Sequence, residues 1–265
     1  LILIMRLIIK QLNGLFAILI VMALGASCAH LPSPGPAAAT RLKNLFELCE
    51  SDLEKAKKVI IERDLIKMLT HLQKMDRGGD KYYLLEREGI TSMIKAVTEG
   101  VYSDFVLINR EGTVIYTMKN DGIFARNVRT SLGKTALGLC YANRETKPFI
   151  ASMASMPLYW DGYYIAVSSD VSAPGTMPGI FILMVDMEKV QRLVGEKSFI
   201  VGPLGTYEVA VDRNKIHTSF SDFDRIDLSV PVNDLTVHRF ARSTGGSAEY
   251  RLFHYSNLRW VIITE

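Results

Sequence analysis

The sequence predicts an α+β fold in which one long N-terminal helix is followed by two lobes, each built on an antiparallel sheet. The first observation is an apolar stripe along residues 41–76, with the steps of three and four that are typical of an amphipathic helix. The second is a hairpin of β-branched and aromatic residues at 105–118, and the third is a similar strand–turn–strand pattern at 207–220. The repeated pattern indicates that the two lobes share a plan.

Residues 41–76 predict one long helix. The apolar stripe is interrupted at Arg63, resumes afterwards, and ends before Gly78 and Gly79. Two interpretations fit this spacing: the helix packs on its own domain, or it forms the seam of a homodimer. The stripe residues are Leu42, Phe46, Cys49, Leu53, Ala56, Ile60, Ile66, Leu69 and Leu72.

The rest of the chain alternates between helix and strand signals. A helix is predicted over residues 82–99, and a short helix over 187–194 connects the two lobes. Runs of β-branched and aromatic residues between turn signals predict the strands. These strands are 104–109, 113–118, 163–171 and 180–185 in the first lobe, and 199–202, 207–211, 216–220, 248–255 and 259–264 in the second.

The N-terminal segment has the pattern of an export signal. Arg6 and Lys10 precede an apolar run of 12 residues, 15–26, which is shorter than the roughly 20 residues a membrane-spanning helix needs. Small residues then lead to Cys28 and to a stretch rich in Pro and Ala. This layout resembles a bacterial lipoprotein signal, which implies a signal peptide over 1–27 and a lipid-anchored tether over 28–40.

Export and lipidation together predict an extracytoplasmic location. The protein would be anchored by lipid on Cys28 to a bacterial membrane, on its periplasmic or cell-surface side. The alternative is an ordinary secretory signal in which Cys28 is incidental. Two further cysteines, Cys49 and Cys140, could pair in an oxidising compartment or remain buried thiols, and the sequence leaves both options open.

Composition indicates a folded protein that does not bind nucleic acid. The 265 residues are 48% hydrophobic and 22% charged, which is typical of globular domains. The net charge is only +3, two of these charges belong to Arg6 and Lys10, and no basic block exceeds two residues. A nucleic-acid partner is therefore not expected.

Five segments resemble the extracytoplasmic Cache sensor domains of bacterial chemoreceptors and sensor kinases, in their two-lobed (double Cache) form. The segments are residues 102–117, 119–122, 179–186, 199–202 and 257–265. The resemblance implies a long helix that carries two PAS-like lobes. It places a membrane-distal lobe over 41–195 and a smaller membrane-proximal lobe over 196–265.

This resemblance also implies a function. Such domains bind small metabolites in the distal lobe and continue into a membrane helix and a cytoplasmic signalling module. Because this chain stops where that helix would begin, we expect either a lipid in its place or a truncated gene. The expected protein binds a small polar metabolite (an amine, a carboxylate or an amino acid) and presents its ligand state to a membrane partner, such as a transmembrane receptor or kinase. The alternative is a structural or protein-interaction lipoprotein without a small ligand.

No catalytic, metal or cofactor motif is expected to act in this chain. The sequence has no nucleophile elbow, phosphate loop or dinucleotide fingerprint. The five histidines are scattered, without the spacing that metal ligands need. We therefore expect a protein that is not an enzyme and that carries neither a cofactor nor a metal.

The best ligand-binding candidates are Tyr159, Trp160, Asp161 and Asp186. An aromatic wall beside one or two carboxylates can hold an ammonium group through cation–π attraction and charge. Amino-acid-binding Cache domains resemble this arrangement, with a Tyr-x-Asp and a later Asp that match Tyr159, Asp161 and Asp186. Their carboxylate-gripping Arg matches Arg144, but the Trp-Tyr pair that follows it is missing here, so we expect a ligand other than a standard α-amino acid.

Each candidate also has a purely structural interpretation. Tyr159 and Trp160 could pack over the sheet, and Asp161 could be a turn residue before a glycine. Asp186 could be the N-cap of the helix at 187–194. A distal pocket plugged by Met153 and Met156 would favour the structural lipoprotein over the sensor.

Overall fold

This computed structural model describes residues 34–75, 79–119, 121–145, 148–152, 163–230, 232 and 236–265. From Gly35 to Glu265 the chain forms one unit. Leu1–Pro34 form another unit, of which only Pro34 is described. The predicted signal peptide and Cys28 therefore lie outside the described residues.

Three helices precede the first strand: α1 (Pro34–Glu62), α2 (Leu65–Gln73) and α3 (Gly79–Val97). The prediction of one unbroken helix over 41–76 is wrong, because Asp64 adopts a left-handed conformation (φ 47°, ψ 39°) that separates α1 from α2. The interruption of the apolar stripe at Arg63 marks this break.

The first turn of α1 bears on the predicted tether, which stays a prediction. The helix begins at Pro34, inside the segment 28–40 that was predicted as a tether. Proline suits the first turn of a helix because its missing N–H would have no partner there. Ala38 and Ala39 are already buried, so the end of the predicted tether belongs to the folded unit.

The first sheet contains five antiparallel strands in the order β2-β1-β5-β4-β3. This arrangement confirms that the hairpin at 105–118 and the strands within 163–185 share one antiparallel sheet. The helix α4 and the edge strand β3 were not predicted. The elements are β1 (Asp104–Asn109), β2 (Val114–Thr117), α4 (Ala136–Ala142), β3 (Phe149–Ser152), β4 (Tyr164–Val171) and β5 (Gly179–Asp186).

A short helix, α5 (Met187–Val194), leads directly from β5 to the second sheet. That sheet is also antiparallel, in the order β7-β6-β10-β9-β8. The predicted architecture of a long N-terminal helical region and two antiparallel lobes is therefore confirmed. The strands are β6 (Ser198–Val201), β7 (Tyr207–Val209), β8 (His238–Ala241), β9 (Ser247–Tyr255) and β10 (Leu258–Thr264).

The strand predicted over 216–220 is wrong. A short 3-10 helix, Arg213–Lys215, replaces the expected turn, and His217 then takes a positive φ of 69°. That conformation lies outside the β region, so a continuous strand cannot pass through His217. The predicted pairing is reduced to one isolated bridge, between Thr206 and Ser219, and to a few backbone hydrogen bonds such as that from the N–H of Tyr207 to the carbonyl of Thr218 (2.9 Å).

The first sheet is covered on both faces. Successive residues of its strands alternate, so that Phe105 and Phe181 face the helices α1–α3 while Val106 and Ile182 face α4. Cys49 and Cys140 belong to the cores on these two opposite faces and are both free thiols, which excludes a disulfide between them. Burial raises the pKa of each thiol to about 12.

Helix α1 packs against both lobes. The ring centroid of Phe46 lies 5.3 Å from that of Tyr255 and 5.9 Å from that of Trp260, both in the second sheet. The stripe residues of α1, from Leu42 to Ile60, are at most 1% exposed within this single chain. The interpretation of this stripe as a homodimer seam is therefore wrong, because its apolar residues already contact the sheets of their own chain.

Asp52 joins α1 to the first lobe. Its fully buried carboxylate accepts hydrogen bonds from the backbone N–H groups of Glu99 (3.0 Å) and Gly100 (2.7 Å) and from the hydroxyl of Tyr102 (2.7 Å). The ammonium of Lys55 lies 3.8 Å from the same carboxylate. These contacts hold the segment that leads into β1 against the helix.

We predict that Asp52→Ala lowers the free energy of unfolding by about 3 kcal/mol or more, because three donors lose a buried acceptor. Urea denaturation followed by circular dichroism measures this change. Glu54→Ala is the matched control, since Glu54 is an exposed acid on the same helix and should change stability by less than about 0.5 kcal/mol. Equal effects of the two substitutions would contradict the role of Asp52.

Candidate functional site

Asp186 lies where the first lobe ends. It is the last residue of β5 and pairs with Tyr164 of β4. Its Oδ1 accepts a hydrogen bond from the backbone N–H of Glu188 (2.7 Å), which confirms the interpretation of Asp186 as the N-cap of α5. The cap uses only Oδ1 of the carboxylate. The second oxygen, Oδ2, has no hydrogen-bond partner among the described residues.

A cavity of about 290 Å³ opens beside Asp186, between α5 and the turn that follows β7. Its walls come from the end of the first lobe, from the connecting helix and from the second lobe. A molecule bound there would contact all three. The lining residues are Tyr163, Asp186, Met187, Glu188, Gln191, Arg192, Glu196, Ala210, Val211, Arg213 and Ile216.

The cavity carries charges of both signs. Glu188 of α5 forms an ion pair with Arg213 of the second lobe. Arg192 and Glu196 also line the cavity, and neither forms an ion pair with another described residue. One guanidinium and the carboxylates of Asp186 and Glu196 are therefore available to a polar ligand.

Tyr163 forms the aromatic part of the lining. Its carbonyl accepts a hydrogen bond from the N–H of Met187 (2.9 Å), which joins the start of β4 to the start of α5. Its ring packs against the cores of both lobes, and the ring centroid lies 5.9 Å from that of His217. Tyr163 is thus an aromatic contact at the point where the lobes meet.

Two buried polar atoms near the cavity have no partner among the described residues: Oε1 of Gln191 and Nε2 of His217. The Gln191 amide is held in place, because Nε2 donates to the carbonyls of Gly195 (2.8 Å) and Ser198 (2.9 Å). His217 follows the lining residue Ile216 and has the strained positive φ described above. Strained backbone is enriched at functional sites, and a buried polar atom without a protein partner is consistent with a bound water or ligand.

The other predicted site residues lie elsewhere. Arg144 is not among the residues that line the cavity; its guanidinium stacks on the ring of Tyr141, 5.0 Å from the centroid. Tyr159, Trp160 and Asp161 lie outside the described residues, as do Met153 and Met156. The predicted convergence of Tyr159 and Asp161 with Asp186 therefore stays a prediction.

Neither a metal cluster nor a membrane-spanning helix occurs within the described ranges. No group of three or more His, Cys, Asp or Glu side chains there could hold a metal ion. Within the same ranges, none of the helices has the length and apolar character that crossing a bilayer requires.

Comparisons with solved structures identify the fold. The domain of an extracellular ligand-binding receptor from Desulfohalobium retbaense superposes with a TM-score of 0.57 at 10% identity, over 85% of this chain and 38% of that receptor. The ligand-binding domain of the Pseudomonas fluorescens chemoreceptor CtaA, in complex with L-isoleucine, gives 0.52 at 13% identity, over 86% and 87% of the two chains. The chain has the double-Cache fold.

A third double-Cache structure extends the comparison. The ligand-binding domain of the Pseudomonas aeruginosa amino-acid chemoreceptor PctC, in complex with GABA, has a TM-score of 0.51 at 12% identity, over 88% of this chain and 96% of that one. At these identities the likeness establishes the fold alone. No protein-family model and no curated relative matches the sequence.

Sequence reasoning found one residue of the cavity, Asp186, and missed the rest. Glu188, Gln191 and Arg192 lie on a helix that was predicted correctly, and their polar character was a usable signal. Arg213 could not be found in this way, because its position depends on a 3-10 helix in a segment that was predicted as a turn.

We predict that Asp186→Ala lowers the free energy of unfolding by about 1 kcal/mol through loss of the helix cap. Asp186→Asn and Asp186→Ser should stay within a few tenths of a kcal/mol of the unsubstituted protein, because Asn and Ser cap helices about as well as Asp. Chemical denaturation of the three variants checks this order. A loss in Asp186→Asn as large as in Asp186→Ala would contradict it and would point to an essential charge.

Proposed function

We propose that this protein is an extracytoplasmic sensor or binding protein for a small polar metabolite, and that the cavity beside Asp186 is its ligand site. The observation that carries this proposal is the cavity itself, which combines an aromatic ring, unpaired carboxylates and a guanidinium at the junction of two Cache lobes. Its volume of about 290 Å³ is near the lower limit of small-molecule sites, which favours a small ligand.

The lining favours a ligand that carries an ammonium group. The second carboxylate oxygen of Asp186 and the carboxylate of Glu196 would accept its N–H groups, and the ring of Tyr163 would supply cation–π attraction. Arg192 would bind a carboxylate on the same ligand. A zwitterion or an amine fits this set better than a simple carboxylate, because the acids lining the cavity outnumber the bases.

We further propose that Tyr159, Trp160 and Asp161 complete this site. They precede the lining residue Tyr163 by two to four positions in the sequence. The ligands of the CtaA and PctC domains, L-isoleucine and GABA, both carry an amine, which supports an amine-bearing ligand here. The missing aromatic pair after Arg144 leads us to favour a ligand other than a standard α-amino acid.

Lipid anchoring at Cys28 and a membrane signalling partner belong to the same proposal, with the predicted division into residues 1–27, 28–40, 41–195 and 196–265. Near the start of α1, Nε of Arg41 donates to the carbonyl of Leu193 in the connecting helix α5 (2.7 Å), and Phe46 packs against Trp260 of the second lobe. The last residue, Glu265, donates its N–H to the carbonyl of Lys197 in the same lobe (3.0 Å). An anchor just before α1 would therefore place the second lobe nearest the membrane.

A thermal-shift screen of the full chain against amines, amino acids, carboxylates and purines tests the ligand. At 100 times its dissociation constant, a specific ligand adds about 2.7 kcal/mol to stability. We expect an amine-bearing ligand to stabilise the protein, and Asp186→Asn to weaken its binding at least about tenfold without lowering stability.

Asp212→Asn is the matched control for that substitution. Asp212 is also an N-cap, accepting from the N–H of Asn214 (3.0 Å), but it does not line the cavity. Equal binding by Asp186→Asn and the unsubstituted protein would exclude the cavity as the site. Failure of every compound would favour the alternative, a structural or protein-interaction lipoprotein.

The anchor is tested separately. We predict that Cys28→Ser abolishes labelling with a radioactive or clickable fatty acid and moves the protein out of the membrane fraction, because stable attachment requires the acyl chains. Retention of an uncleaved Cys28→Ser protein in the membrane would contradict lipidation and support a retained N-terminal helix.

A further inference from the structure

A cluster of two arginines lies against Tyr141, the aromatic residue of α4, on the first lobe. The guanidinium of Arg129 lies 5.2 Å and that of Arg144 lies 5.0 Å from the centroid of the Tyr141 ring. The ring is 6% exposed, whereas both arginines are exposed. Two cationic groups are therefore held at the surface by one buried ring.

Hydrogen bonds fix both guanidinium groups. Nη2 of Arg129 donates to the hydroxyl of Tyr141 (2.6 Å), and that hydroxyl donates to the carbonyl of Arg110 (2.5 Å). Nη1 of Arg144 donates to the carbonyl of Tyr141 (3.0 Å). The stem of Arg129 lies against Gly112, where an added Cβ would come within 3.3 Å of its Cγ. Such fixed guanidiniums lose little side-chain entropy when they bind an anion.

The cluster has no acidic partner among the described residues. Arg110, Arg129 and Arg144 form no ion pair there, and the nearby Glu111 lies 3.9 Å from the ammonium of Lys74 instead. Residues 122–144 contain Arg126, Arg129, Lys134 and Arg144 but no Asp or Glu, and the next acid along the chain is Glu145. Positive charge is thus concentrated on one segment of a nearly neutral protein.

We propose that the cluster of Arg129, Tyr141 and Arg144 binds a phosphate group that carries two negative charges. Nη2 of Arg129 donates to the hydroxyl of Tyr141 and also to the carbonyl of Arg110 (3.4 Å), and Nη1 of Arg144 donates to the carbonyl of Tyr141. No acceptor for the other guanidinium nitrogens of the two arginines lies among the described residues. Two planar guanidiniums match the several oxygens and the double charge of a phosphomonoester better than the single charge of a carboxylate. This site is separate from the cavity at Asp186 and does not depend on the proposed function.

The phosphate could be free or could belong to a lipid headgroup. Isothermal titration of the full chain with inorganic phosphate, against sodium chloride at the same ionic strength, tests the first source. Co-sedimentation with phosphatidylcholine vesicles, with and without phosphatidic acid, tests the second. We expect saturable phosphate binding, and sedimentation that requires phosphatidic acid if a headgroup is the source.

Variants locate the site. Arg129→Gln with Arg144→Gln should weaken phosphate binding at least about tenfold, whereas Arg126→Gln with Lys134→Gln removes the same charge from the same segment and should weaken it less than about threefold. Circular dichroism and thermal melting verify that the variants fold. If the double Gln variant unfolds, Arg129→Lys with Arg144→Lys replaces it. This variant keeps the charge but loses the forked geometry of the guanidinium groups, so it should also bind phosphate more weakly. No saturable binding, or an equal effect of the two double Gln variants, would overturn the proposal and leave a diffuse basic surface.

Discussion

The buried face of α1 is the constraint on which the rest of the structure depends. Its apolar residues from Leu42 to Ile60 are almost fully buried, and they contact the sheets of both lobes. Burial of each large side chain contributes about 1.5–3 kcal/mol, so the face as a whole contributes on the order of 10 kcal/mol, similar to the net stability of a typical domain. Without the helix, part of the helical side of each sheet would be open to water, so the two lobes would lose the apolar surface that holds them together.

The packing of both lobes along α1 also creates the junction between them. The lobes are held along α1, while the chain passes between them through α5, a helix of only eight residues. Such a short connection brings the end of β5 close to the turn after β7, and the two do not close completely against each other. The cavity at Asp186 is the space that remains, and polar residues of α5 and the turn line it. A ligand there would contact both lobes at once, which is the geometry a sensor needs if binding is to alter the relation between them.

The sequence was sufficient for the parts of the fold that rest on local periodicity. The helix at 187–194 was predicted from the spacing of its apolar residues. The hairpin at 105–118 and the two closing strands were predicted from runs of β-branched and aromatic residues between turns. The edge strands β3 (FIAS) and β8 (HRFA) were missed because, unlike the equally short β2 (VIYT), they contain few β-branched or aromatic residues, and such strands are defined by the neighbour they pair with. The break at Asp64 and the turn at His217 depend on single residues with positive φ. The apolar stripe is interrupted next to Asp64, but this interruption alone does not show that the helix ends there, and no such signal accompanies His217.

The candidate site was only partly predicted because local sequence pattern does not determine which residues the fold brings together. Asp186 could be found because it ends a strand and begins a helix, but this position also makes it a cap, and sequence alone could not separate the two roles. The structure shows why they are compatible: the cap occupies one oxygen of the carboxylate, and the other has no described partner. The two proposed sites also carry charge of opposite sign. Acids outnumber bases around the cavity, whereas all the charged side chains of residues 122–144 are basic. A low net charge therefore argues against a large polyanion as partner but does not predict a small ligand, because screening beyond about 10 Å makes a small ligand respond mainly to the charges within its own site.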